Sequence, residues 1–418
     1  MARRNHPGSE PVVWLSSLAG PGSVGGLAAY ARALGRELAD GGGKVFHLKT
    51  AGGVSPLPDC QDPIETTVCA AGRTGPGILL GPLGPRLASR PVAHGLLQWI
   101  AEQGFRVRVR DGIPALPTVV HFIGTGWDLA GFAFLRMARK SGALFTVLPA
   151  VHPRSWGDDA IDLRLYRQAD AVFCLSDHER HHLAGLGVPP RKLVKTVLPP
   201  NCPRDGDGSR FRELHRIGER PMALFIGRRD AGKGYPALLQ AWGEVVRQVP
   251  GAVLCLAGPG GAEYTAARDA LPPDSYRDLG VPDETGKADA LAACDLFCLP
   301  SAHESFGIVY VEAWSYGKPV VCGTAPASRE LVDPTAGVWT DGTPGAIAAS
   351  IQSILRDPGR GQEMGRRGQV LQRNHYHPRE MIRTHLAAWG MTEEPREPSS
   401  PISGALRGRI PATEPGNT

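Results

Sequence analysis

The feature that most constrains this 418-residue chain is a βα alternation that runs, stops and starts again. The first run opens with an apolar strand at Val12 to Leu18, a glycine-rich PGSVGG and a helix. The apolar positions of that helix, Leu27, Tyr30, Ala31, Leu34 and Leu38, recur with helical spacing. Gly41 to Gly43 end it, and KVFHLK follows as the next strand. Further strands are expected at 118–124, 144–150 and 171–176, with helices near 127–140, 160–168 and 177–186. The stretch 199–221, PPNCPRDGDGSRFRELHRIGERP, has no apolar period and reads as a linker. Alternation then restarts at MALFIG (222–227) and runs through AVLCLAG, KADALAAC, DLFCLP, GIVYVEAWSYG and PVVCG to GAIAASIQSIL (345–355). Repeated βα units build parallel sheets with right-handed crossovers. The expected fold is therefore α/β, with two Rossmann-like doubly wound domains facing each other across a cleft. The expected division is 1–199, 200–373, a terminal helix at 374–390 packing back on the first domain, and a tail at 391–418. That tail is rich in Pro, Ser, Gly and charge, the composition of a disordered segment.

Composition narrows the function classes. The net charge of +5 is too weak for this length to argue for nucleic acid. The eight cysteines form no C-x-x-C pair, and several lie in apolar runs, which fits reduced core thiols and a cytoplasmic compartment. MARRNHPGSEPVVWLSSL contains no apolar core of a secretory signal. The run Val119 to Leu135 includes His121, Asp128 and three glycines, so it reads as strand, turn and helix rather than a membrane span.

Two glycine motifs test nucleotide readings. Gly20 to Gly25 is a literal G-x-G-x-x-G between strand and helix, but the following strand ends in Lys49 with no acid to hold a ribose. It leaves Gly25 and Gly26 at a helix N-terminus, where bare amides can approach an anion. Gly227 to Lys233 is a literal G-x-x-x-x-G-K, but position 234 is Gly where a P-loop places the magnesium-holding hydroxyl. What survives is a turn carrying Arg228 and Lys233, two cations suited to a diphosphate or, standing alone, two exposed turn residues.

The turn gains meaning from Ser301-Ala-His-Glu304-Ser-Phe306-Gly307-Ile308-Val-Tyr-Val-Glu312. Glu304 falls in a loop, the amides of Gly307 and Ile308 open a helix, and Glu312 lies one turn inside it on the face of Ile308. An anion site flanked by two carboxylates suits a sugar nucleotide. The bland alternative makes Glu304 a helix cap and Glu312 a solvated helix residue.

Taken in order, these residues resemble the retaining glycosyltransferases of family four, which have the GT-B fold. The resemblance covers Val12 to about Trp389 and is strongest over 222–332: GRRDAGKGY, LAGPG, DLFCLPSAHESFGIVYVEAWSYGKPVVCG and RELV. GGLAAYARALGREL, VLPAVHPRSWGDD and LYRQADAVFCLSDHE match more loosely. The resemblance implies an acceptor-side first domain and a nucleotide-sugar-binding second domain. By it, Arg228 and Lys233 bind the donor diphosphate, Glu304 the donor sugar and Glu312 the ribose. Gly25, Gly26, Phe306, Gly307 and Ile308 belong to the donor-binding set, and His152 faces the donor sugar. Residues 279–284 lie near the base. Thr324 to Ser328 replace the family's glycine-rich turn before RELV, and PPNCP replaces its Asn-Gly pair.

The implied reaction is metal-independent hexose transfer from a nucleoside-diphosphate sugar to an acceptor hydroxyl with retained configuration. The catalytic set is Glu304, His152, Lys233 and Arg228, with no cofactor and no metal. The acceptor is a carbohydrate, a lipid-linked molecule or a small molecule. A sugar-nucleotide epimerase of the same fold and a P-loop-like nucleotide-binding protein stand as alternatives. His178, His181 and His182 have ligand-like spacing without an accompanying acid pattern, and surface polarity explains them as well. The helix near 86–104 carries Val92, Leu96, Leu97 and Ile100 between arginines. It reads either as an ordinary packing helix or as a peripheral contact with the inner face of the membrane.

Overall fold

The computed structural model describes residues 12–17, 26–50, 69–73, 93–107 and 116–391. In the first lobe the elements run β1 (Val12–Ser17), α1 (Gly26–Asp40), β2 (Lys44–Thr50), β3 (Cys69–Arg73), α2 (His94–Gly104) and β4 (Phe105–Val107). They continue as β5 (Val119–Ile123), α3 (Ala130–Ser141), β6 (Leu144–Leu148), α4 (Ala160–Gln168), β7 (Ala171–Cys174), α5 (Asp177–Gly185) and β8 (Leu193–Lys195). These strands form one eight-stranded sheet in the order β4-β3-β2-β1-β5-β6-β7-β8. Every pairing is parallel except β3 with β4 at the edge, where Ala71 opposes Val107. The middle strands are continuous apolar runs because helices cover both faces: all five residues of β5 are buried.

The second lobe comprises α6 (Gly208–Leu214), β9 (Met222–Ile226), α7 (Tyr235–Gln248), β10 (Val253–Ala257), α8 (Thr265–Asp269), β11 (Tyr276–Asp278), α9 (Glu284–Ala293) and β12 (Leu296–Leu299). It closes with α10 (Ile308–Ser315), β13 (Val320–Cys322), α11 (Pro326–Leu331), β14 (Gly337–Trp339) and α12 (Pro344–Leu355). Its sheet is parallel throughout, in the order β11-β10-β9-β12-β13-β14. The order reverses between β9 and β12, so the loops after those two strands border the crevice where such sheets hold ligands.

The stretch expected as a linker is not structureless. Its middle forms α6, because Phe211 buries against the second lobe and Asp289 on α9 accepts the Asp207 amide at 2.6 Å. One short helix with a single buried aromatic leaves no period to read. The glycine- and proline-rich 56–68 and 74–86, the residues 392–418 and the motif 18–25, including Gly25, lie outside the described residues. Of the amphipathic segment near 86–104, α2 buries Leu97 and leaves Leu96 and Trp99 exposed. Among the described residues no helix is long and apolar enough to cross a membrane.

After α12 the chain continues as α13 (Pro358–His375) and α14 (Pro378–Ala388), with His377 capping α14, and α14 packs on α1. A fully buried hydrogen-bond chain fixes that contact. His385 Nδ1 faces the Met381 carbonyl at 2.7 Å, an oxygen that can only accept, so Nδ1 carries the proton. Its Nε2 therefore accepts from the Tyr30 hydroxyl at 2.6 Å. The Tyr30 oxygen accepts from His121 Nε2 at 2.9 Å, and His121 Nδ1 accepts from the Thr146 hydroxyl at 2.8 Å. Phe173 stacks flat on His385 at 4.0 Å.

Both histidines are neutral for the same reason. Burial lowers His385 to about 4 and holds His121 well below its ordinary range. Because the folded values lie below those of the unfolded chain, the unfolded state binds more protons as pH falls through 6.5 towards 4. Stability is thus full above the ordinary histidine range and is lost on acidification, by about 3 kcal/mol for His385 alone. Urea unfolding at a series of pH values should show this loss, and His385→Gln should flatten it by up to one proton.

Candidate active site

The turn after β9 places two adjacent arginines in different roles. Arg229 is buried and forks onto Asp278, with Nη1 to Oδ2 at 3.0 Å and Nη2 to Oδ1 at 2.5 Å. Its neighbour Arg228 keeps 70% of its side chain exposed and touches Asp230 at 3.2 Å. Arg229 thus anchors the turn to β11, while Arg228 stays at the surface, paired with Asp230. Asp230 then accepts the Lys233 amide at 3.0 Å, bending the chain into a short 3-10 turn. Gly234 has φ +72°, and a Cβ there would lie 2.2 Å from the Pro300 carbonyl oxygen. A Ser or Thr at that position is sterically barred, which is why the P-loop pattern stops at Lys233.

The loop after β12 is stitched to this turn. The Ala302 amide and the Ser301 hydroxyl both donate to the Gly232 carbonyl, at 2.9 and 3.0 Å. Across the seam Lys233 Nζ meets Glu304 Oε1 at 2.6 Å and the His303 carbonyl at 3.1 Å. Glu304 therefore forms an ion pair and does not cap α10. The cap position belongs to Gly307, whose φ of +91° and approach to the Tyr310 ring leave no room for a side chain. No side chain caps α10, so the amides that open it from Ile308 have no side-chain acceptor. Phe306 is buried with its ring edge-on to Tyr376 at 5.9 Å, so its ring anchors the loop and only its backbone is on the cleft side.

Glu312 is almost fully buried, not solvated. Lys287 on α9 donates Nζ to its Oε1 at 2.7 Å, while Oε2 has no hydrogen bond of ordinary geometry. Burial pushes the Glu312 carboxyl up and the Lys287 ammonium pulls it back, which favours an ionised pair. Lys287 stands 25 positions from Glu312, and nothing in the local sequence signals the pairing.

From the first lobe, His152 follows β6 and forms an isolated bridge with Trp156. Burial, and then the charges of Lys233, His303 and Arg228, lower it to about 4, so it is neutral at pH 7. Those three groups belong to the second lobe, so charges from across the cleft act on His152. Gly26 is the exposed first residue of α1, with open space where a Cβ would project. A separate open hollow of about 630 Å³, lined by Arg154, Ser155, Asp158, His181, His182 and others, contains none of these donor-side residues. There His182 pairs with Asp158 at 2.8 Å. No three His, Cys, Asp or Glu side chains among the described residues converge as metal ligands.

Comparison with known proteins decides the family. Residues 209–370 match the model of the glycosyl transferases group 1. A GDP-mannose-dependent alpha-(1-6)-phosphatidylinositol monomannoside mannosyltransferase of Mycolicibacterium smegmatis is 30% identical over 278 residues, 59% of this chain and 70% of that protein. The chain belongs to the glycosyl transferases group 1. A D-inositol 3-phosphate glycosyltransferase of Kineococcus radiotolerans is 29% identical over 386 residues, 83% of this chain and 86% of that one. In fold, the chain matches sucrose-phosphate synthase from Thermosynechococcus elongatus with a TM-score of 0.70 at 19% identity, over 90% of this chain and 96% of that one. It matches Anabaena HepE, solved with UDP and glucose, with a TM-score of 0.67 at 17% identity, over 92% and 100% of the two chains. The fold of this group 1 glycosyltransferase is therefore GT-B, with two α/β lobes about a cleft.

The buried pair yields a test. Lys287→Met leaves Glu312 buried without its counter-charge and should cost about 3 kcal/mol or more, read by urea unfolding. Adding Glu312→Gln should restore most of that stability, because no uncompensated charge is then left in the buried site.

Proposed function

We propose that this glycosyltransferase moves a hexose from a nucleoside-diphosphate sugar to an acceptor hydroxyl with retained anomeric configuration and without a metal ion. The observation that carries the reading is the Lys233–Glu304 pair facing a neutral His152, in the same lobe as the buried Glu312 that Lys287 holds. Departure of the nucleoside diphosphate builds negative charge on phosphate and positive character on the sugar ring. Arg228, Lys233 and the amide end of α10 offset the first inside a poorly hydrated cleft. Glu304 accepts donor-sugar hydroxyls and Glu312 the ribose hydroxyls. A neutral His152 can hydrogen-bond the sugar without adding positive charge beside the developing oxocarbenium. As the acceptor oxygen forms its bond to the anomeric carbon, the bond to the leaving phosphate breaks. The acceptor proton passes to that phosphate on the same face. Two cations and a helix terminus on the diphosphate supply the charge that a divalent ion would otherwise bring.

The relatives are described as acting on D-inositol 3-phosphate and a phosphatidylinositol monomannoside. On that ground the acceptor is an inositol-type hydroxyl, free or lipid-borne, and a lipid-borne acceptor brings the enzyme to the membrane surface.

Proton NMR of the anomeric signal, with donor, acceptor and EDTA present, tests this. Turnover should persist in EDTA and the product should keep the donor configuration. Activity only with added magnesium, or an inverted anomer, would overturn the mechanism, and sugar interconversion without acceptor would identify an epimerase. Lys233→Ala and Arg228→Ala should each cost at least about 2 kcal/mol in kcat/KM, the usual loss for a charge-assisted contact in a closed site.

A further inference from the structure

The first turn of α5 is closed from both lobes. From its own lobe, Ser176 Oγ accepts the Glu179 amide at 3.1 Å. From the other, Glu330 on α11 seats its carboxylate on the two preceding amides, Asp177 to Oε1 at 2.8 Å and His178 to Oε2 at 3.1 Å. Lys195, at the end of β8, donates to the same Oε1 at 2.5 Å and to Asp177 Oδ2 at 2.7 Å, which offsets the repulsion between the two carboxylates. The Lys195 side chain is 43% exposed, so the ion pair alone is screened and weak. The geometric content lies in one carboxylate bridging two helix-end amides, where the helix dipole also favours it.

The same turn reaches into the site. Glu179 is fully buried and accepts the Val151 amide on Oε1 and the Leu175 amide on Oε2, both at 2.7 Å. Val151 precedes His152, and Ala150 before it holds φ +52°, a backbone state that a side-chain-bearing residue keeps only when its surroundings impose it. Burial raises the Glu179 carboxyl to about 8, a cost accepted to pin these two amides.

We propose that Glu330 is an inter-lobe latch, and that Glu179 is the positioning residue that transmits its closure to His152. The proposal rests on the glycosyl-transfer reading above. When Glu330 seats on α5, the helix is fixed against the donor lobe, and Glu179 sets the Val151–His152 segment over the donor sugar. The donor-side groups Lys233, Glu304 and Glu312 all belong to the second lobe, so donor binding does not require the latch.

The test uses the full chain with GDP and UDP as binding probes and nucleotide-sugar turnover as the rate. Glu330→Ala should lower kcat by about tenfold or more, as misplacement of a reacting group does, while nucleoside-diphosphate Kd stays within about twofold. Small-angle scattering should show a larger radius of gyration for this variant. Lys195→Met, which leaves the amide contacts, should fall between it and the wild type. Glu179→Gln should lower kcat without changing the scattering, and should add little to the loss caused by His152→Ala. Glu330 and Lys195 are partly exposed surface residues, so their variants carry the test even where Glu179→Gln does not fold. Unchanged kcat in Glu330→Ala would overturn the proposal, as would equal losses of kcat and nucleotide affinity with unchanged scattering. If the wild type turns over no nucleotide sugar, the functional reading fails, while the scattering comparison still decides the latch.

Discussion

The ion pair between Lys233 and Glu304 organises the second lobe. It joins the loops that leave β9 and β12, the strands between which the sheet order reverses, and it sits on a seam of hydrogen bonds to the Gly232 carbonyl. Neither charge is well hydrated: the side chains are 16% and 10% exposed. In such a place an unpaired charge is costly, so each partner holds the other in position until a ligand can replace it. The pair therefore keeps both side chains aimed at the same volume.

The same economy recurs at the other buried polar groups. Lys287 supports Glu312, Asp278 supports Arg229, and two backbone amides support Glu179. Each supporting group lies far away in sequence or on another element, so each couples folding to site geometry. The Tyr30–His121–His385 chain does the corresponding work for the overall assembly, because it fixes α14 to the first lobe with a defined set of tautomers. A molecule whose chain crosses back in this way joins its lobes by two separate sets of polar contacts, the histidine chain and Glu330 on α5.

Much of this was legible in the amino-acid order. The βα alternation prescribed two largely parallel sheets because period and punctuation are local properties, and the glutamate-flanked FG motif marked the loop-to-helix junction that opens α10 because its residues are contiguous. Local signals also explain the error at 199–221: α6 exists through Phe211 and Asp289, which no window of seven residues contains. The helix near 177–186 was readable, but the use of Glu179 to hold Val151 was not.

What the sequence by itself determined was the main run of βα units, the presence of two lobes and the identity of the charged residues at the strand ends. These follow from hydrophobic periodicity, glycine placement and helix-start geometry, all of which act over a few residues. The short strands β3, β4, β11 and β14 carried no periodic signal. Only the tertiary structure decided which of the adjacent cations Arg228 and Arg229 is exposed and which is an anchor. Only it decided that Glu312 is buried against Lys287, that His152 is neutral, and that Glu330 closes a helix in the other lobe. Those properties depend on desolvation and on charges brought near from distant positions, and neither exists until the chain has folded.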